Sequence, residues 1–218
     1  MSLGGAASGP EAGSQLLAPP LLVDAAAAIS AAQDFAAAIS DDVVLRDRQG
    51  AARVPVQELA RYDASGLLGI TVPDGPNLAM SVLAEVCRTV AAVDPAIAQA
   101  PQGHFLFIDV VAAFGDDTVR ERLLGDALAG RRMANALAER GGAHAQDLKT
   151  RFSGGRLNGV KYYATGALTA HWIAVSAVDD QGRVVICFVE REAEGVSLGT
   201  DWNVMGQRAT ISGSVTFA

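Results

Sequence analysis

The chain has 218 residues, half of them apolar and 19% charged, with a formal charge of −7 and a mean hydropathy of +0.24. That composition excludes a disordered chain and supplies one or two packed domains, and the acidic balance excludes a general nucleic-acid binder, which needs a basic face. No apolar run reaches the ~18 residues of a membrane span, no basic residue precedes Arg46 to open a secretory leader, and Cys87 and Cys187 lie far apart in apolar runs, so a cytoplasmic chain without disulfides is expected.

Residues 1–21 are mostly small residues and Pro without periodicity, and read as a disordered tail. Asp24 is placed to cap an Ala-rich helix running to about Ser40, with Ile29, Phe35 and Ile39 as its apolar stripe. Pro55 fits the first turn of a second helix ending near Ser65-Gly66, and Leu67 to Pro73 reads as a short extended crossing. Asn77 is a cap for a third helix in which Leu78, Val82, Val86 and Val90 repeat on one face. Asp94-Pro95 breaks it and begins another helix through about Phe114, after which Gly115-Asp116-Asp117 starts a short one. Residues 22–130 are therefore expected to form an α-helical domain.

The character changes near Arg131, where β-branched residues and closely spaced glycines take over. Trp172 to Val178 and Arg183 to Glu190 are predicted strands joined by the hairpin loop Asp179-Asp180-Gln181-Gly182. In Val184 to Val189 both faces are apolar, which predicts a strand covered on both sides. Residues 131–218 are expected to form a β-domain, a small barrel or sandwich. The strand pattern runs into the last residues, Ser214 to Ala218, as in a domain cut short or completed by a partner.

Dinucleotide, phosphate-loop, zinc-protease and nucleophile-elbow signatures are absent, as is a paired Cys-x-x-Cys. The run Leu157-Asn158-Gly159-Val160-Lys161-Tyr162-Tyr163-Ala164-Thr165-Gly166-Ala167 resembles the N-G-x-K-x-[WY]-x-[TS]-[NG] segment of the acyl-CoA dehydrogenase superfamily. Gly66 to Pro73, Asn135-Ala136-Leu137-Ala138-Glu139, and Met205-Gly206-Gln207-Arg208 agree with that family in order and spacing. Ala170-His171-Trp172 and Asp201-Trp202 bring the likeness nearest to the sulfur-acquisition oxidoreductases and dibenzothiophene monooxygenases.

The resemblance implies an α+β fold, with an N-terminal helical domain and a middle β-domain, the family's C-terminal four-helix bundle being missing. It implies a flavin cofactor, FMN or FAD. Tyr163 would lie against the isoalloxazine, and Thr165, expected two residues on along the same strand, would offer its hydroxyl and amide N–H to the N5/O4 edge. Gly166, Asn135 and Ala138 would complete the cofactor contacts, Ala138 standing where the family usually carries a hydroxyl. His104 is the catalytic candidate, facing the flavin from a helix. Three functions stay open: a reduced-flavin monooxygenase of a small organosulfur compound, a FAD-dependent acyl-CoA dehydrogenase, and a non-catalytic remnant or assembly partner. A small-molecule substrate, a separate flavin reductase and a second copy of the chain are the implied partners.

Overall fold

The computed structural model describes residues 18–49, 54–142, 144 and 147–218. Seven α-helices precede seven strands: α1 (Ala25–Ala38), α2 (Val43–Gln49), α3 (Val56–Ala64), α4 (Met80–Ala91), α5 (Pro95–Gln99), α6 (Gln102–Phe114) and α7 (Asp117–Leu128), then β1 (Met133–Ala136), β2 (Arg151–Ser153), β3 (Arg156–Lys161), β4 (Trp172–Val178), β5 (Val184–Glu190), β6 (Val196–Leu198) and β7 (Val215–Phe217). Most of the tail expected over residues 1–21 lies outside the described residues. From Pro19 onward the chain already packs on the body, because a Cβ on Gly130 would sit 2.9 Å from the Pro19 ring.

Two aspartates cap helices where the sequence puts them. Asp24 caps α1 by accepting from the Ala27 N–H at 2.8 Å, and Asp116 caps α7 through Val119. The face that α1 buries is Ala28, Ala32, Phe35 and Ala36, with Ile39 behind them, so small residues let it approach α4 closely. Asn77 is not a cap: it takes a left-handed φ of 46°, and α4 starts three residues later. Leu67 to Pro73 is not extended, since Leu67–Gly69 is a turn of 3₁₀-helix after the left-handed Gly66. The long helix expected from Pro95 to Phe114 is broken at Pro101 into α5 and α6. Helix α2 carries no local signal in its sequence; its buried Arg46 pairs with Asp94 at 2.9 Å, and Asp94 also caps α5.

The strands form one curled sheet, a half-barrel. Strand β4 has β5 antiparallel on one side, and β1 and then β2 parallel on the other; the path continues through β3, β7 and β6. The expectation that β5 is covered on both faces is corrected here. Among the described residues it pairs only with β4, and Val184 and Ile186 stand exposed. Strand β4 is the one buried on both faces: Trp172 and Ala174 pack toward the helices, Ile173 and Val175 into the concave side of the sheet. An edge strand leaves one row of backbone hydrogen-bonding groups unpaired whatever its sequence, and hydrophobicity alone does not reveal which strand is the edge.

Candidate functional site

The seam between helices and sheet is built from polar groups buried among apolar ones. His104 on α6 is wholly buried; its Nδ1 accepts from the Met133 N–H at 3.2 Å and its Nε2 faces the Leu68 carbonyl at 3.0 Å. Accepting at Nδ1 requires the proton on Nε2, so the ring is neutral and donates to Leu68. Burial, helped by the nearby charges of Arg132 and His171, pushes its pKa down to about 4. Arg132, also fully buried, joins the helical layer to the sheet through Asp63 (2.8 Å) and the Thr169 hydroxyl (3.0 Å). The catalytic role expected of His104 therefore has no free ring nitrogen to act through; the residue fastens α6 to β1.

The residues after β3 behave differently. Strand β3 ends at Lys161, and the chain leaves the ladder through one bridge, where the Tyr162 N–H donates to the Ala138 carbonyl at 2.9 Å. Tyr163 then adopts a left-handed φ of 57°, a strained state for a bulky side chain, and the residue is 49% exposed. Tyr163 and Thr165 are thus not strand neighbours pointing one way, which corrects the expected geometry. The ring of Trp202 meets Tyr163 edge-on at 6.0 Å, and the Arg140 guanidinium lies 4.1 Å above the Tyr162 ring. Asn135, half-buried on β1, reaches the Tyr163 carbonyl with its amide at 3.5 Å. Ala138 is exposed beside this patch.

Thr165 is half-buried, and its N–H is spent on the Tyr163 carbonyl, so only the hydroxyl is left for a ligand. Gly166 is buried with a φ of 76°, and a Cβ there would lie 3.0 Å from the Ala100 carbonyl oxygen. Its N–H goes to the Thr210 carbonyl, so Gly166 makes the turn instead of offering an amide to a cofactor.

Lys161 and Glu139 fix this platform from below. The Lys161 ammonium, with no exposed surface, contacts Glu139 at 2.6 Å, Ser176 at 3.0 Å and the Leu137 carbonyl at 3.3 Å. Burial works against the Glu139 carboxylate, yet donation from Lys161 and the Lys149 and Thr150 amides brings its pKa down to about 2. Trp202, Arg140 and the buried hydroxyls of Thr210 and Ser212 were not assigned to the site from the sequence. The family likeness of Asp201-Trp202 and of Ser212-Gly213 is a hint, but nothing local says that residue 202 returns to residue 163.

An open cleft of about 650 Å³, lined by Arg48, Thr200, Trp202, Asn203 and Arg208 among others, shares Trp202 with the aromatic patch. Among the described residues no group of three or more His, Cys, Asp or Glu is placed to hold a metal ion. No helix among them is long and apolar enough to cross a membrane, and both cysteines are free thiols.

Two domain models match in sequence order: acyl-CoA dehydrogenase, N-terminal domain, over residues 24–131, and acyl-CoA dehydrogenase, middle domain, over residues 134–218. The chain belongs to the acyl-CoA dehydrogenase family. Among its relatives, the probable FMNH2-dependent monooxygenase SfnC of Pseudomonas putida is 30% identical over 205 residues, covering 87% of this chain and 49% of that protein. A dibenzothiophene monooxygenase of Mycolicibacterium goodii is 29% identical over 188 residues, covering 80% and 45%. The FMN-bound structure of TdsC from Paenibacillus sp. A11-2 superposes with a TM-score of 0.79 at 25% identity, over 88% of this chain and 50% of that one. The chain spans about half the length of these relatives.

Proposed function

We propose that this chain carries the flavin-holding half of a reduced-flavin monooxygenase acting on a small organosulfur compound. The observation that carries the reading is Tyr163, held in a strained left-handed backbone with its ring exposed and flanked by Trp202. Strained backbone of this kind clusters at binding and catalytic sites. The residues around it fit a planar heterocycle with a polar edge: Tyr163 offers a flat face, and the Thr165 hydroxyl lies beside it. Asn135 braces the Tyr163 carbonyl, while Lys161 and Glu139 hold the platform still. When bound, reduced flavin supplies the electrons that activate oxygen for transfer to sulfur. The protein's part is to stack the ring, orient its edge and keep water from one face.

FMN is favoured over FAD by the FMN named in TdsC and the FMNH2 named in SfnC. The same two relatives favour monooxygenation over acyl-CoA oxidation. A separate reductase that delivers reduced flavin, and a second copy of the chain, are partners of this proposal. The test is titration of the purified chain with FMN and, anaerobically, with FMNH2. Binding is expected, with affinity for FMNH2 falling about tenfold in Thr165→Val, the loss of one hydrogen bond. No retention of either flavin form, or an unchanged affinity in that variant, overturns the assignment.

A further inference from the structure

Three hydroxyls run in line from the candidate flavin face into the protein. Thr165 Oγ1 lies 2.7 Å from Ser212 Oγ, Ser212 Oγ lies 2.7 Å from Thr210 Oγ1, and Thr210 Oγ1 lies 2.8 Å from the Gln207 carbonyl oxygen. The last partner decides the direction of all three bonds. A carbonyl only accepts, and a hydroxyl has one hydrogen, so Thr210 spends its hydrogen on Gln207. Ser212 must then donate to Thr210, because two oxygens at 2.7 Å with no hydrogen between them repel. Ser212 has nothing left for Thr165, so Thr165 donates to Ser212. Ser212 and Thr210 are buried, which keeps water from breaking the order. The Thr165 N–H is spent as well. What Thr165 presents outward is therefore an acceptor and not a donor.

We propose that Ser212 and Thr210 are positioning residues that set the redox preference of the site, making Thr165 a hydrogen-bond acceptor matched to the N5–H of reduced flavin. This rests on the flavin reading above and goes beyond it. Flavin N5 is an acceptor in the oxidised ring and a donor, N5–H, in the reduced one. An acceptor-only hydroxyl bonds the second and faces the lone pair of the first. The same Gln207 carbonyl also accepts from Trp202 Nε1 at 2.7 Å, so one backbone oxygen anchors both the hydroxyl chain and the ring that edges Tyr163.

The experiment compares the affinity of the full chain for FMN and for FMNH2, anaerobically, in the wild type and in Ser212→Ala, Thr210→Val and Ser212→Thr. Ser212→Ala frees the Thr165 hydrogen to turn outward. Thr210→Val does so by a second route, leaving Ser212 to donate to Thr165. Each is expected to lower the ratio of FMNH2 to FMN affinity by about tenfold, a fall of about 30 mV in the midpoint of the bound flavin. Ser212→Thr keeps a hydroxyl and keeps the ratio. In a Thr165→Val background, Ser212→Ala should leave the ratio where Thr165→Val put it. A loosened loop would weaken both flavin forms alike, so an unchanged ratio in Ser212→Ala and Thr210→Val overturns the proposal while leaving the flavin site standing. Failure of the wild type to bind either form overturns the flavin reading and this inference with it.

Discussion

His104 and Tyr163 are both polar aromatic residues that the family likeness marks for the flavin, and the fold treats them in opposite ways. His104 has no exposed surface and both ring nitrogens paired to backbone, whereas Tyr163 is half exposed and sits in a backbone state its side chain disfavours. The first arrangement is what stability produces: every buried polar group satisfied and every conformer relaxed. The second lowers stability locally and leaves a flat face open. The contrast teaches that a site in this protein is recognised by what stays unsatisfied, and that the satisfied residues beneath it are its foundation.

The comparison breaks most readily at the foundation. Lys161→Ala leaves the Glu139 carboxylate largely buried without its cation, and should cost about 3 kcal/mol or more in urea unfolding. Adding Glu139→Gln should recover much of the loss; a cost below about 1 kcal/mol would mean the pair is solvated and supports nothing. For His104 the test is pH. Its pKa of about 4 in the fold lies below the ordinary value of 6.5, so the unfolded chain takes up a proton first as the solution is acidified. The stability this group contributes is present above pH 6.5 and is lost as pH falls through 4. Its ceiling is on the order of 3 kcal/mol. His171, also pushed down to about 4 chiefly by burial, acts in the same direction. Denaturant unfolding across that window should show a slope that His104→Gln flattens in part. A histidine free to act at the site would give no such slope. The smallest effect belongs to Tyr163. Replacing it with Gly removes the backbone strain and should raise stability by about 1 kcal/mol while weakening FMN binding. A variant that loses stability as well as FMN would place Tyr163 with His104 in the scaffold.

Much of the fold was legible because its signals are local. A carboxylate three residues ahead of an amide caps a helix wherever the helix ends up, as Asp24 and Asp116 do. The hairpin between β4 and β5 follows from two apolar runs and the short loop between them. The candidate site was legible only in part. The segment around Tyr163 stood out by its likeness to a family motif, but its geometry did not, since the chain leaves the strand at Lys161 and turns. Trp202 and Ser212 reach Tyr163 and Thr165 across some forty residues of intervening chain, a distance that no periodicity bridges.

The sequence by itself determined the order of helices and strands, the caps at Asp24 and Asp116, the β4–β5 hairpin, and the family, because each depends on residues close together in the chain. Only the tertiary structure decided that β4 and not β5 is the covered strand, that His104 is a neutral clasp, and that the Thr165 hydroxyl bonds to Ser212. Burial and the direction of a hydrogen bond are properties of what surrounds a group, and in a folded chain the surroundings come from elsewhere in the sequence.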